Sequence, residues 1–117
     1  MKKISVAILV VLMVVFSSYQ TKLLPTSLKI TVIDNLGNVV HNAEVTIYRS
    51  EDNYRNNTNP VAETQLTDEK GRVTFKKLAP VSYFIDARKG DKNNDGEGVQ
   101  TAKLKEGRVN KVNTVIE

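Results

Sequence analysis

The stretch ITVIDNLGNVVHNAEVTIYRS, residues 30–50, decides the fold. Apolar and polar residues alternate up to Ile33 and again from Ala43 to Tyr48, as they do in strands that bury one face. Between the two runs lies Asp34-Asn35-Leu36-Gly37, whose Asp and Gly favour a tight turn. The stretch therefore predicts two β-strands joined by a turn.

Short runs of the same kind continue to the end of the chain. Five more β-rich runs lie at 61–67, 72–78, 81–85, 99–105 and 108–116. Polar stretches at 51–60 and 89–98 separate some of them and predict surface loops. Seven runs at regular spacing, with no sustained helical period, predict an all-β fold: a seven-stranded, two-sheet antiparallel sandwich.

The N-terminus has a different character. Lys2 and Lys3 precede thirteen uncharged, almost wholly apolar residues at 4–16, and small residues follow. This order is typical of a signal peptide, which we predict over residues 1–20, because a spanning helix needs roughly 20 apolar residues. The alternative is an uncleaved N-terminal membrane anchor. No cysteine follows the apolar run, so a lipid anchor is excluded.

The remaining sequence divides into a short linker at 21–26 and one domain at 27–117. Its length suits one modest hydrophobic core and not two. Removing Lys2 and Lys3 leaves 15 basic against 13 acidic residues, scattered without interleaved aromatics, so nucleic acid is a poor partner. We expect a periplasmic or extracellular product that touches the membrane only through the signal segment, if that segment is not cleaved.

The motifs of residues 27–89 resemble the carboxypeptidase regulatory-like domain, a transthyretin-like (prealbumin-like) sandwich. The resemblance rests on the Gly turn, the apolar alternation after it, a Thr-Asp-x-x-Gly turn, a Phe-x-x-Leu-x-Pro segment and an aromatic strand: Gly37, Ala43, Val45, Ile47, Thr67, Asp68, Gly71, Phe75, Leu78, Pro80, Tyr83 and Ile85. The usual Gly after the Pro is absent, since Val81 follows Pro80. The resemblance implies a Greek-key sandwich that acts as a noncatalytic accessory, adhesive or spacer module.

An enzymatic role is not expected. The ureide hydrolase that shares the transthyretin-like fold needs several His and Arg residues and a C-terminal Tyr-Arg-Gly-Ser, whereas this chain has only His41 and ends in Thr114-Val115-Ile116-Glu117. The absence of cysteine removes thiolate nucleophiles, disulfides and Cys-ligated zinc. A Ser-His-Asp triad would also have to use that one histidine.

A calcium loop is the one cofactor site that the sequence suggests. Asp91, Asn93, Asp95 and Glu97 offer alternate oxygen ligands around Gly96, as in the opening of an EF-hand loop. The bidentate Glu expected later in such a loop is replaced by Ala102, and flanking helices are lacking. A polar turn without metal is the commoner meaning of such a sequence.

Carbohydrate binding is the other ligand hypothesis. Similar folds use exposed aromatic rings as sugar platforms, and Tyr54 in the Asn-rich loop is the best candidate, with Phe84 expected to face outward. A basic cluster at Arg88, Lys89 and Lys92 offers a site for an anionic glycan or a protein partner, although a solvated loop face is the commoner meaning of such a cluster.

An intramolecular Lys–Asn isopeptide bond, known from related adhesin sandwiches, would use Lys29, Asn110 or Asn113, and Glu63 as the acid. The alternation of the first strand places Lys29 in solvent, whereas the bond needs a buried lysine of lowered pKa. The sequence thus predicts a noncatalytic exported β-sandwich module with a structural or protein-interaction role. The alternative is a carbohydrate- or calcium-binding protein that uses loops 51–60 and 89–98.

Overall fold

The computed structural model describes residues 24–96 and 98–117, so the predicted signal peptide and half of the linker lie outside the described residues. The described chain forms one short helix, α1 (Glu51–Asn56), and seven strands: β1 (Ser27–Asp34), β2 (Glu44–Tyr48), β3 (Gln65–Leu66), β4 (Arg72–Phe75), β5 (Phe84–Lys89), β6 (Lys92–Asn93) and β7 (Val109–Ile116). No helix in these two ranges is long and apolar enough to cross a membrane.

The strands form two sheets, in the orders β4-β1-β7 and β3-β2-β5-β6. The predicted seven-stranded, two-sheet sandwich is therefore confirmed. One pair departs from the antiparallel expectation, because β7 runs parallel to β1 over eight residue pairs. Parallel neighbours need a connection of about a dozen residues or more, and residues 35–108, which contain the other five strands, form it between β1 and β7.

Beyond shifted ends, such as β5 at Phe84–Lys89 for the predicted run 81–85 and β3 at Gln65–Leu66 for 61–67, the structure differs from the sequence prediction in three places. Residues 99–105 form no ladder and meet β5 only through an isolated bridge from Gln100 to Phe84. Strand β6 lies within the predicted loop 89–98. Helix α1 lies within the predicted loop 51–60, where the Ser50 hydroxyl accepts a hydrogen bond from the Asn53 N–H (3.1 Å) and caps the first turn.

The hydrophobic core lies between the two sheets. Strand β1 contributes a row of three side chains with no exposed surface: Leu28, Ile30 and Val32. The row packs with side chains from β2, β4, β5, β7 and the approach to β5, chiefly Val45, Ile47, Phe75, Tyr83, Ile85, Ala87 and Ile116. Each fully buried side chain of this size contributes about 1.5–3 kcal/mol. Every buried side-chain polar atom of the described residues has a hydrogen-bond partner.

Two turns of the same Asp-x-x-Gly type flank the first and fourth strands. Asp34 Oδ1 accepts hydrogen bonds from the N–H groups of Leu36 (3.0 Å) and Asn38 (2.9 Å). Asp68 Oδ1 accepts from the second and fourth residues after it in the same way, at 2.8 and 3.0 Å. These backbone hydrogen bonds are the first cause that lowers the pKa of both carboxyl groups.

The glycines that end these turns, Gly37 and Gly71, both have positive φ, at 86° and 74°. Their surroundings differ. A Cβ on Gly37 would meet nothing within 4 Å, whereas a Cβ on Gly71 would lie 2.8 Å from the backbone oxygen of Val32. The Gly71 turn is therefore fixed by backbone packing as well as by conformation.

This contrast predicts unequal costs for the same substitution. Gly37→Ala should lower the free energy of unfolding by about 1–2 kcal/mol, the cost of a left-handed residue. Gly71→Ala should cost roughly 1–3 kcal/mol more, because the methyl group must displace the β1 backbone. Urea denaturation of both variants measures the difference. Equal losses would contradict the packing argument.

Candidate ligand-binding face

The outer surface of the four-stranded sheet carries a cluster that we call the aromatic face: Tyr48, Tyr54, Phe84, Asp86, Arg88 and Asp95. Its base is the cross-strand pair of Tyr48 on β2 and Phe84 on β5. Helix α1 places Tyr54 over this pair. The Tyr54 ring stands edge-on to Tyr48 and stacked on Phe84, with both centroid distances 6.2 Å. The predicted sugar platform is thus half-buried, and part of its ring surface is used in packing.

Hydrogen bonds and ion pairs connect the two predicted ligand loops on this face. The Tyr54 hydroxyl donates a hydrogen bond to Asp95 Oδ1 (2.9 Å). Arg88 donates through Nη2 to the same oxygen (3.3 Å) and through Nε to Asp86 Oδ1 (2.8 Å). The structure therefore brings together Tyr54 and Asp95, which the sequence assigned to separate loops.

Burial shapes the electrostatics of the aromatic face. Asp86 is almost fully buried, and this burial raises the pKa of its carboxyl group against the opposing effect of Arg88. The pKa of Tyr54 is raised to about 12, first by burial and then by the hydrogen bond to Asp95 and by its charge. Next to these groups lies a cleft of about 320 Å³ between α1 and the loop after β6, also lined by Arg55 and Asn57.

The three predicted calcium ligands that the structure describes do not share one place. Asp95 belongs to the aromatic face, whereas Asp91 lines a different cleft beside His41 and Lys89. Asn93 lies in β6, and its side-chain oxygen accepts a hydrogen bond from the Asp95 N–H (3.0 Å). Glu97 lies outside the described residues. Among the residues that are described, no three His, Cys, Asp or Glu side chains gather as a metal site. Calcium binding stays a prediction.

The loop after β6 is anchored by a residue that the sequence did not single out. Asn94 is 2% exposed. Its side-chain oxygen accepts from the Ala87 N–H (3.0 Å), and its Nδ2 donates to the Ile85 carbonyl and the Thr114 hydroxyl (both 2.9 Å). This amide joins β5 to β7 and fixes the place where Asp95 leaves the sheet. The only sequence signal is a second asparagine beside Asn93.

Two residues of the predicted basic cluster are already bonded to other groups of the domain. Arg88 is committed to Asp86 and Asp95, and Lys89 Nζ donates a hydrogen bond to the His41 carbonyl (2.6 Å). These two cations are thus held by groups of the fold itself.

The residues considered for an isopeptide bond lie outside the core. In the parallel ladder Lys29 is opposite Lys111, and Asn113 is opposite Thr31, so these side chains share the outer surface of the three-stranded sheet. Asn110 donates through Nδ2 to the Ser27 carbonyl (3.1 Å), and Glu63 is exposed. The inward row of β1 leaves Lys29 on the outer face, as the alternation predicts.

No protein-family model matches the sequence, and no curated protein matches it. Among the solved structures that match, two are similar over 80% of the chain: the Bacillus anthracis TIE protein, with a TM-score of 0.58 and 26% identity, and BcpA, the major pilin subunit of Bacillus cereus, with 0.52 and 18%. The region matched is 17% of the first protein and 30% of the second. The β-sandwich fold is thus shared with pilin-type proteins, and it is compatible with a prealbumin-like domain.

The contact between Tyr54 and Asp95 predicts a specific change in titration. Asp95→Asn should lower the Tyr54 pKa from about 12 towards its ordinary value, because it removes a negative charge and a carboxylate acceptor. Asp91→Asn removes the same charge in the other cleft and should leave the Tyr54 pKa unchanged. Ring-labelled tyrosine followed by NMR against pH measures each phenol separately.

The sign for stability follows from the raised pKa. Unfolded tyrosine ionises near pH 10, so the contribution of the neutral Tyr54 phenol is complete below about pH 10 and is lost as the pH rises through about 12. Tyr54→Phe should lose less stability over this interval than the parent protein. If Asp95→Asn left the Tyr54 pKa unchanged, the hydrogen bond between the two side chains would not be formed.

Proposed function

We propose that this chain is an exported, noncatalytic β-sandwich module with a structural or protein-interaction role. The observation that carries the proposal is the parallel pairing of β1 with β7 in register from Ser27 with Val109 to Asp34 with Ile116. The polypeptide therefore enters the domain at one end of this ladder and leaves it at the other, about 25 Å away for eight strand residues. Such a domain fits in series with other modules along an extended protein.

The same pairing gives the domain a direction in which it resists force. Tension between the two ends of the domain acts along both strands, so the bonds of the eight-pair ladder must fail together rather than one after another. The inward row of β1 adds to this resistance, because sliding β1 would drag three buried side chains through the core. A structural module under tension requires these properties.

The comparisons support the same role. One similar structure is a pilin subunit, a structural protein, and the chain has the size of one part of these longer neighbours. The Thr-Asp-x-x-Gly turn also supports membership of the carboxypeptidase regulatory-like family, whose domains mostly serve as accessory modules. Thr67 is buried there and donates its hydroxyl to the Val40 carbonyl (2.6 Å).

Export is proposed from the order of residue types at 1–20 and from the likeness to a pilin subunit, a class of cell-surface protein. Fractionation of cells that express the chain checks this part: a product confined to the cytoplasm would contradict it.

The mechanical role is tested by single-molecule pulling in two directions. The chain has no cysteine, so pairs of introduced cysteines define the points of attachment. Handles at Ser27 and Glu117 load the β1–β7 ladder in shear. Handles at Asn35 and Glu117 lie at the same end of the ladder and peel β7 away bond by bond. We expect the unfolding force to be several times lower in the second geometry. Equal forces would overturn the mechanical proposal.

A second candidate function is ligand binding at the aromatic face. One observation favours it: the Tyr54–Asp95 hydrogen bond assembles both predicted ligand loops around one cleft. A glycan would have to stack on the part of the Tyr54 ring that Tyr48 and Phe84 leave open. Calcium would have to displace Arg88 from Asp95.

Thermal melting with millimolar calcium tests the metal. A bound ion raises the midpoint by mass action, and Asp95→Asn should abolish that rise, whereas Asp52→Asn on the exposed side of α1 should not. A glycan array that compares the parent protein with Tyr54→Ala tests the sugar. An unchanged midpoint together with an array without hits would reject this candidate.

A further inference from the structure

The free edge of β7 is the largest unused hydrogen-bonding surface of the three-stranded sheet. The Ser27 N–H donates to the Arg108 carbonyl (3.1 Å). In a parallel pair this bond means that the backbone N–H and C=O groups of every second residue from Arg108 onwards point towards β1. Just past the strand, Glu117 exchanges both backbone bonds with Asn93 on the opposite side. The backbone groups that point to this opposite side, and find no strand there in the described chain, belong to Val109, Lys111, Asn113 and Val115.

A groove of about 380 Å³ runs along this edge, between the first half of β7 and the extended segment 101–105. We call it the basic groove. Its apolar lining comes from Leu104, Val109 and Val112, and Val109 is 49% exposed. Its lining contains four cations and no carboxylate: Lys103, Lys105, Arg108 and Lys111. Within the described residues none of these four forms an ion pair.

We infer that the basic groove docks an extended acidic segment of a partner protein, which adds as a further strand to the free edge of β7. The inference rests on the proposed interaction role and specifies the chemistry of the partner. Strand addition uses backbone hydrogen bonds for affinity and alternate side chains for specificity. Here the side chains on the outer face are acidic, to match Lys111 and the other cations of the groove, and those on the inner face are apolar, to cover Val112.

The backbone of the edge favours a polypeptide over a polyanion. A free strand edge presents N–H donors and C=O acceptors in turn, and a partner strand satisfies both. A phosphate polymer carries acceptors alone, so it would leave the carbonyls of β7 without partners. It would also gain nothing from the apolar lining of the groove.

The charge of the groove disfavours a second copy of this chain as the occupant. Pairing two β7 edges would bring two basic grooves together, and like charges on opposite strands destabilise a sheet. The cations that prevent association of identical edges select an acidic partner instead.

The experiment uses residues 24–117, because the core residues of the described chain all lie between Leu28 and Ile116. Three probes are compared: a peptide of alternating Glu and Val, a peptide of alternating Lys and Val, and polyphosphate of the same negative charge as the first. We expect the acidic peptide alone to slow hydrogen exchange of the outward amides of β7, at Val109, Lys111 and Asn113. The basic peptide should not bind.

A matched pair of variants locates the site. Arg108→Glu with Lys111→Glu should weaken binding of the acidic peptide by roughly tenfold or more, since two attractive charges become repulsive. Lys70→Glu with Lys76→Glu makes the same change in net charge at exposed positions near β4, the far edge of the sheet. This control should change affinity by less than about twofold.

Two results would overturn the inference. One is equal weakening in both double variants. The other is binding without protection of the β7 amides, with polyphosphate competing as well as the peptide, which would identify a general polyanion surface. Neither result changes the comparison of unfolding forces, so failure here is distinguishable from failure of the proposed structural role.

Discussion

The structure depends on the inward row of β1. Leu28, Ile30 and Val32 lie in the central strand of the three-stranded sheet and are fully buried. Because side chains alternate along a strand, a shift of one residue would place Lys29 and Thr31 in the core. The row therefore fixes the register of β1 with both of its neighbours, β4 on one side and β7 on the other.

Local alternation explains why most strands are predictable from sequence. The rows of β1, β2, β4, β5 and β7 can be predicted because alternate residues of each strand face the same core. Strand β6 could not be predicted from the sequence, since Lys92 and Asn93 have no apolar alternation and form a strand only by pairing with β5. The parallel direction of β7 could not be predicted either, because it depends on how the chain passes from one sheet to the other. Residues 99–105 have the right composition but bond to β5 only intermittently.

The candidate site shows the same division between local and long-range information. Tyr54 and Asp95 can be recognised in the sequence as residue types suited to ligand binding, and they belong to the predicted loops 51–60 and 89–98. Their contact depends on α1, whose cap at Ser50 turns Tyr54 onto Phe84. From the sequence alone, Asn94 looks like any other asparagine of a polar loop. In the structure it is a buried amide with three partners, and its burial could not be predicted because it depends on Ile85, Ala87 and Thr114.

The parallel ladder also determines when the domain can complete its fold during synthesis. Strand β1 is made first, but one of its two neighbours is made last, and the hydrogen bond from Asn110 to Ser27 joins residues 83 positions apart. Closing so long a loop is slow, so the nascent chain holds β1 half-paired until almost the whole domain has left the ribosome. The domain therefore cannot complete its fold until its last strand has been synthesised.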